Sequence, residues 1–554
     1  MIGRSLLLAS LVLAGCGLTG EPIPTGPVNA CFEDADCGSA RCDLDRGICV
    51  AVEIDDLYVY LDVIPPSSFG SSDSFGPYPL DALTSLDLRL PAPVRVEGTV
   101  RFDGLRVRAQ VRFRPTDVPL PERAARVITQ TFDPALPDHP ETYDFEVQLV
   151  PGRSYTVRIE PEGADRALYP PLRGMLELGP DGQHLDIEYV ADELISVFGD
   201  VSSLGGVPED GLEVTAIDAA TGEILSSVGT TGSDLEHPGA FEIRMLRGAP
   251  AWLLRLAPAR DRTGVFPTFV VDPAYLTTLV PPGTDIERAQ VLVPTIAGAV
   301  RFAGTVEYPA SIAVAQPVEG AVVTMRAEIV DSTTNMQGSI ELTFVTDAMG
   351  RFDGAILPGV YEIQASSVSN PRLGILLERR ELRPAAGATD LLGSVLSLPE
   401  RSLLGGVAQA PGAEPLPDTT VRAIATGLPL DGLSDPELAR RARSTDGLTD
   451  AAGVFRLDLD VGIFDLVVEP SVGSGYPWWI ETGVGIGGSD RPLNRVAELR
   501  APVAVDGTLE GFEGDRIAGA EIYAYTRIEG RLIAMGRVTT DAEGELHLLL
   551  PPTL

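Results

Sequence analysis

The 554-residue sequence predicts an all-β protein: a tandem array of about five β-sandwich domains behind a short disulfide-rich segment. Three observations predict it. First, Thr346-Asp347-Ala348-Met349-Gly350-Arg351-Phe352 returns as Thr449-Asp450-Ala451-Ala452-Gly453-Val454-Phe455 and as Thr540-Asp541-Ala542-Glu543-Gly544-Glu545-Leu546. Each copy reads as a hairpin turn, in which the aspartate accepts backbone N–H groups and the glycine supplies a positive φ. Second, an opening strand carrying a glycine recurs at intervals of about a hundred residues, around Gly98, Gly199, Gly298, Gly405 and Gly507, as in a repeat array. Third, residues 155–159, 252–256, 361–363 and 464–468 alternate apolar and polar side chains. That is the period of half-buried strands, and several short strands per unit make sandwiches.

Composition bounds the partners. Acidic residues number 79 against 42 basic ones, for a net charge of -37, and every strong cation is arginine because lysine is absent. That balance opposes contact with nucleic acid or anionic lipid headgroups and keeps the units from clustering. No cofactor is expected. Calcium is the one alternative raised by the acidity, with Asp34, Asp36, Asp43, Asp45, Asp458 and Asp460 nearest to Asp-x-Asp ligand spacing but none in a full loop signature.

Taken in order, residues 1–16 carry a basic Arg4, an apolar run over 6–13 and small residues before Cys16. This is the pattern of a secretory signal. Leu13-Ala14-Gly15-Cys16 resembles the lipobox of bacterial lipoproteins. The resemblance implies a lipidated Cys16 that begins the mature chain and holds it to the membrane by more than one acyl chain. Gly17 stands where an aspartate would favour retention at the inner membrane, so the expected location is the outer membrane, on its periplasmic or extracellular side. Residues 17–30, rich in Gly and Pro, read as a flexible tether. Cys31, Cys37, Cys42 and Cys49 follow in segment 31–50. An even set in an exported chain points to two disulfides, with three connectivities open. The interleaved pairing of Cys31 with Cys42 and Cys37 with Cys49 is the expected one. Zinc is the competing reading, without a C-x2-C pair or nearby histidine to support it.

The array is expected to run as a partial β unit over 51–93, sandwiches over 94–193, 194–294, 295–400 and 401–501, and an incomplete fifth over 502–554. The third unit, with its Thr-Asp-Ala-x-Gly turn and the closing Leu357-Pro358-Gly359-Val360-Tyr361-Glu362-Ile363, resembles the carboxypeptidase regulatory-like domains. These have a transthyretin-like, Greek-key sandwich also described as a carbohydrate-binding-like fold. The fourth and fifth units share the resemblance. The first two depart from it at the turn, where His139-Pro140-Glu141 and residues 233–239 stand instead. The family name implies a noncatalytic module. Residues 434–443 carry a helix start signal with Pro436 in its first turn. The fifth unit reaches Leu548-Leu549-Leu550-Pro551-Pro552 without a closing strand. Either more chain follows, or a strand comes from elsewhere, or the unit is marginally folded.

Catalytic signatures are missing. His139, His184, His237 and His547 are far apart and begin no zinc motif, and neither a nucleophile elbow nor a phosphate loop occurs. No enzyme activity and no catalytic or metal residues are expected. Tyr78-Pro79, Tyr169-Pro170, Phe266-Pro267 and Tyr476-Pro477 each follow a strand and read as sandwich caps. Trp478 and Trp479 differ, because adjacent residues on an extended chain point to opposite sides, and one of them is free to stack on a sugar ring. The expected function is a noncatalytic, surface-anchored lipoprotein acting as a structural or adhesive multidomain stalk, built as a straight array. The alternatives are a glycan-binding protein, or an accessory module of a secreted hydrolase or transport complex. Expected partners are the membrane through Cys16 and polysaccharide or surface proteins, not nucleic acid.

Overall fold

The computed structural model describes residues 41–43, 48–50, 57–66, 72–120, 128–136, 140, 142–232, 237–260, 262, 264–273, 285–294, 296, 298–308, 315–331, 336–430, 436–487, 493–528 and 530–553. The chain divides into two units, Met1–Glu53 and Ile54–Leu554. In the first, strands Arg41–Asp43 and Ile48–Val50 pair antiparallel, with Cys42 opposite Cys49 in the backbone register. Cys16, Cys31 and Cys37 lie outside the described residues, as do Asp34, Asp36 and Asp45.

The described residues of the second unit form β-strands, apart from short 3-10 turns and one helix at Pro436–Arg440, within the span expected for it. The unit repeats one seven-strand plan. In the fourth sandwich, the first strand, Ser402–Ala410, is flanked by the fourth, Val454–Leu459, and runs parallel to the seventh, Leu493–Glu498. The facing sheet orders the third, second, fifth and sixth strands as Thr445–Leu448, Thr420–Ala425, Gly462–Glu469 and Trp479–Ile486. Apolar residues alternate inward from both sheets, among them Leu404, Phe455, Leu457, Phe464 and Leu466, and make the core. Five such cores occur among the described residues.

The turn phrase behaves as its chemistry requires. The Asp347 carboxylate accepts from the N–H groups of Met349 and Arg351 at 2.8 Å, and Gly350 sits at φ 68°. Asp450 with Gly453, and Asp541 with Gly544, repeat the arrangement. The threonine before each aspartate is buried and bridges two strands: Thr346 Oγ1 accepts from Ala321 N–H at 2.8 Å and donates to the Val318 carbonyl at 2.6 Å. In the second sandwich, Gly239 takes the place of Gly350, at φ 77° with its carbonyl accepting from Val201 N–H.

The opening-strand glycines need correcting in two units. The residue equivalent to Gly98 and Gly199 is Gly304, not Gly298, and Gly406, not Gly405. At Gly98, Gly199, Gly304, Gly406 and Gly507, an added Cβ would collide with a backbone carbonyl of the seventh strand, whereas at Gly298 it would meet open space. In the first four units a phenylalanine of the fourth strand also fills the notch: Phe145, Phe241, Phe352 and Phe455.

The largest departure concerns the two segments expected to be incomplete. Strands from within 58–89 and from within 503–550 together form one sandwich. Val503–Glu510, Glu521–Ile528, Arg531–Thr539 and Glu545–Leu550 supply its first four strands. Tyr58–Ile64, Asp73–Pro79 and Ser85–Arg89 supply the fifth, sixth and seventh. Tyr58–Ile64 runs antiparallel to Glu521–Ile528, and Ser85–Arg89 runs parallel to Val503–Glu510. It is therefore the Leu86 carbonyl that fills the notch at Gly507. Val59, Leu61, Val63, Leu86 and Leu88 enter one core with Val505, Leu509, Ile522 and Leu548. A strand does come from elsewhere, and its source is the amino-terminal side of the array.

The neighbour contacts consequently close on themselves. The first sandwich meets the second through Arg158 and Arg173 on Glu223. The second meets the third in one continuous eight-stranded sheet, where the Phe269 ring lies against Gly338, the residue with no Cβ to obstruct it. Arg443 ties the fourth to the third by donating to the carbonyls of Ser367 and Leu373, while Asp460 of the fourth holds Arg443 and Arg401 through both carboxylate oxygens. Asp465 and Arg531 join the fourth to the fifth at 2.6 Å. Asp73, in the fifth, pairs with Arg153 of the first. A straight array with separate ends is thus replaced by a circuit in which the fifth sandwich borders both the fourth and the first.

Candidate functional site

The joint between the fourth and fifth sandwiches encloses a cleft of about 720 Å³, within the range of small-ligand sites. One wall is the loop from Pro470 to Trp478, which turns at Gly473 and Gly475 with φ of 86° and 79°. Glu469, at the end of Gly462–Glu469, with Thr420 and Asp418 extends that wall. The other wall comes from three strands of the fifth sandwich, through Glu521 and Tyr523, through Arg537 to Thr539, and through His547 and Leu549.

Strand alternation explains why these side chains face the cleft. Ile522 and Ala524 point into the fifth core, so Glu521 and Tyr523, which alternate with them, point out. The Tyr523 hydroxyl donates to a Glu521 carboxylate oxygen at 3.0 Å. Burial, then this bond, pushes the tyrosine above its ordinary pKa. Glu469 is also raised, because burial outweighs the guanidinium charges of Arg422 and Arg537; Arg422 reaches its carboxylate at 3.0 Å.

The two tryptophans divide as adjacent strand residues must. Trp479 packs against the fourth core. Trp478 packs against the fifth core and lines the cleft. Tyr476 also lines it. Aromatic surfaces beside carboxylates, a guanidinium and hydroxyls suit a ligand with alternating apolar faces and hydrogen-bonding edges. Sequence reasoning found the tryptophans but missed Tyr523, Glu521, Arg537 and His547. The available signal was Tyr523 itself, an aromatic on the polar face of an alternating strand.

Elsewhere, the expected caps lie against their cores: Tyr78, Tyr169 and Tyr476 are partly buried, and Phe266 is buried. The Tyr169 ring lies tilted at 32° against Phe102, with centroids 4.3 Å apart. His547 bonds Asp506 at 2.5 Å and His184 contacts Asp186 at 3.2 Å; His139 lies outside the described residues. Among the described residues, no group of three or more His, Cys, Asp or Glu side chains is placed to hold a metal ion. No helix among them is long and apolar enough to cross a membrane.

No family model and no curated protein matches the chain. Solved structures similar to it include a streptococcal ancillary pilin, at 13% identity over 56% of this chain and 99% of that one, with a TM-score of 0.22. The Bacillus anthracis TIE protein is similar at 12% identity over 71% of this chain and 69% of that one, TM-score 0.16. The shaft pilin SpaA from Lactobacillus rhamnosus GG is similar at 14% identity over 37% of this chain and 98% of that one, TM-score 0.19. At these scores the all-β sandwich architecture stands on the strand pairing described above.

Proposed function

We propose that the chain is a lipid-anchored, noncatalytic surface protein of the outer membrane with a structural or adhesive role. The observation that carries this reading is the closure of five sandwiches into one circuit of contacts. That design devotes the strands within 58–89 and 503–550 to holding the array together. The lipobox-like Leu13-Ala14-Gly15-Cys16 supports the anchor. The test compares cells displaying the parent with cells carrying Cys16→Ser. Labelling with a fatty acid should mark only the parent, and the variant should leave the membrane fraction together with any adherence the parent confers. Retention of the variant would refute the anchor, and adherence that is the same with and without the protein would refute the adhesive role.

A second reading, glycan binding, is favoured by Trp478 and Tyr523 facing one cleft with Glu469 and Glu521. A glycan array probed with the full chain should show signals that fall with Trp478→Ala and persist with Trp479→Phe. An array that stays blank, or signals insensitive to Trp478, would end this reading.

A further inference from the structure

The seam of the fifth sandwich is made entirely of noncovalent contacts between two segments more than four hundred residues apart in sequence. All five cysteines lie at or before position 49, so no disulfide crosses it. The donor segment, residues 57–90, pairs its backbone with Val503–Glu510 and Glu521–Ile528. Thr508 Oγ1 donates to Asp87 at 3.0 Å, Leu90 N–H donates to the Glu510 carbonyl at 2.9 Å, and Arg89 donates to the Phe512 carbonyl. Donor and acceptor surfaces differ, and each is complete on a single chain.

We propose that residues 57–90 are an exchangeable donor, and that a second copy of this chain is the partner their acceptor fits. Every seam contact made within one chain is available between two, because the strands, notch and core are the same. What favours the closed chain is the effective concentration of its own donor. That advantage is set by how well the intervening sandwiches bring the ends together. Pro91-Ala92-Pro93 links the donor to the first sandwich, and Asp73–Arg153 and the Leu120 N–H to Ser74 Oγ bond at 3.4 Å are side contacts between them. Exchange rotates the donor about this short connection. Because the interface joins unlike surfaces, exchange leaves a free donor on one copy and a free acceptor on the other. The product is a closed pair or a head-to-tail chain.

Two full-length variants test this. Leu61→Asp with Leu88→Asp disables the donor, and Ile522→Asp with Leu548→Asp disables the acceptor. The two are produced together in one cell under different affinity tags. The complementary pair should copurify at least ten-fold above two differently tagged copies of the donor-disabled variant. Equal recovery from both combinations overturns the proposal, whether high or low. A synthetic peptide of residues 57–90 added to the donor-disabled variant checks that its acceptor is folded. Peptide bound without pairing shows that the seam forms only within a chain, and no peptide bound shows that the acceptor takes no donor in trans; either overturns the proposal.

Discussion

Replacing Asp460 with alanine tests the joint between the third and fourth sandwiches. The Asp460 side chain is 3% exposed and Arg401 is 6% exposed. Arg401 reaches the two carboxylate oxygens through Nε and Nη2, each at 3.0 Å. Arg443 adds Nε at 2.8 Å, Nη2 at 2.9 Å and its own backbone N–H at 3.0 Å. The same guanidinium donates across the joint to the carbonyls of Ser367 and Leu373, at 3.1 and 2.8 Å. Removing the carboxylate leaves Arg401 buried with only the Asp458 carbonyl, at 3.2 Å. Breaking a buried pair from one side costs about 3–5 kcal/mol. With Arg443 partly in water, the lower end of that range applies. For a domain of this size, about 3 kcal/mol lowers the transition by roughly 12 °C or more, measured by calorimetry on the full chain. Burial alone would raise the Asp460 carboxyl, but hydrogen bonds from Arg443 and Arg401 outweigh it and hold it below its ordinary value of 3.8. Its contribution is therefore complete above that value and lost as pH falls through the lowered one. Asp460→Asn should lack this acid-dependent component. A shift under about 4 °C for Asp460→Ala, less than 1 kcal/mol, would refute the clamp.

Other predictions are more local. At φ 68°, with the Val306 carbonyl 2.6 Å from where its Cβ would stand, Gly350→Val should cost about 1–3 kcal/mol, read as a lowered melting temperature; an unchanged one contradicts the turn. Thr346→Val removes a buried hydroxyl that satisfies two backbone groups and should cost about 1–3 kcal/mol by the same assay. Glu469 has a raised pKa, so its proton favours the folded state, and the stability this brings is complete below the ordinary value of 4.5 and lost as pH rises from there through the raised one. Glu469→Gln should accordingly gain stability relative to the parent at neutral pH and lose that advantage in acid, as thermal scans at several pH values will show.

The parts of this fold that sequence reveals are those whose cause is local. Asp347 accepts from N–H groups two and four residues on, and the Gly350 N–H, at a positive φ, donates back to the Asp347 carbonyl, so the turn is visible in the string itself. The opening-strand glycines were only half legible. Gly304 differs from Gly298 because of a carbonyl on Ser394 and a ring on Phe352, neither of which is near in sequence. The seam was legible as two gaps, a segment lacking its first half and a unit lacking its last, but nothing in either string names the other. The cleft followed the same rule. Trp478 and Trp479 announced opposite orientations because they are adjacent, whereas Arg537 and Tyr523 became neighbours of Trp478 only through the joint.

The seam also sets an order in time. Thr508 and Asp87 bond across 421 residues, so strands made early are among the last to find their partners. At roughly 5–20 residues per second of synthesis, the donor's leucines and valines wait for about 20 to 80 seconds before their acceptor exists. Through that interval the nascent segment carries an apolar surface suited to strand addition. The four intact sandwiches can fold as they emerge, each from a contiguous stretch. The fifth has to wait until the strands within 503–550 emerge, and the length of that wait makes its yield the step most sensitive to crowding by neighbouring nascent copies.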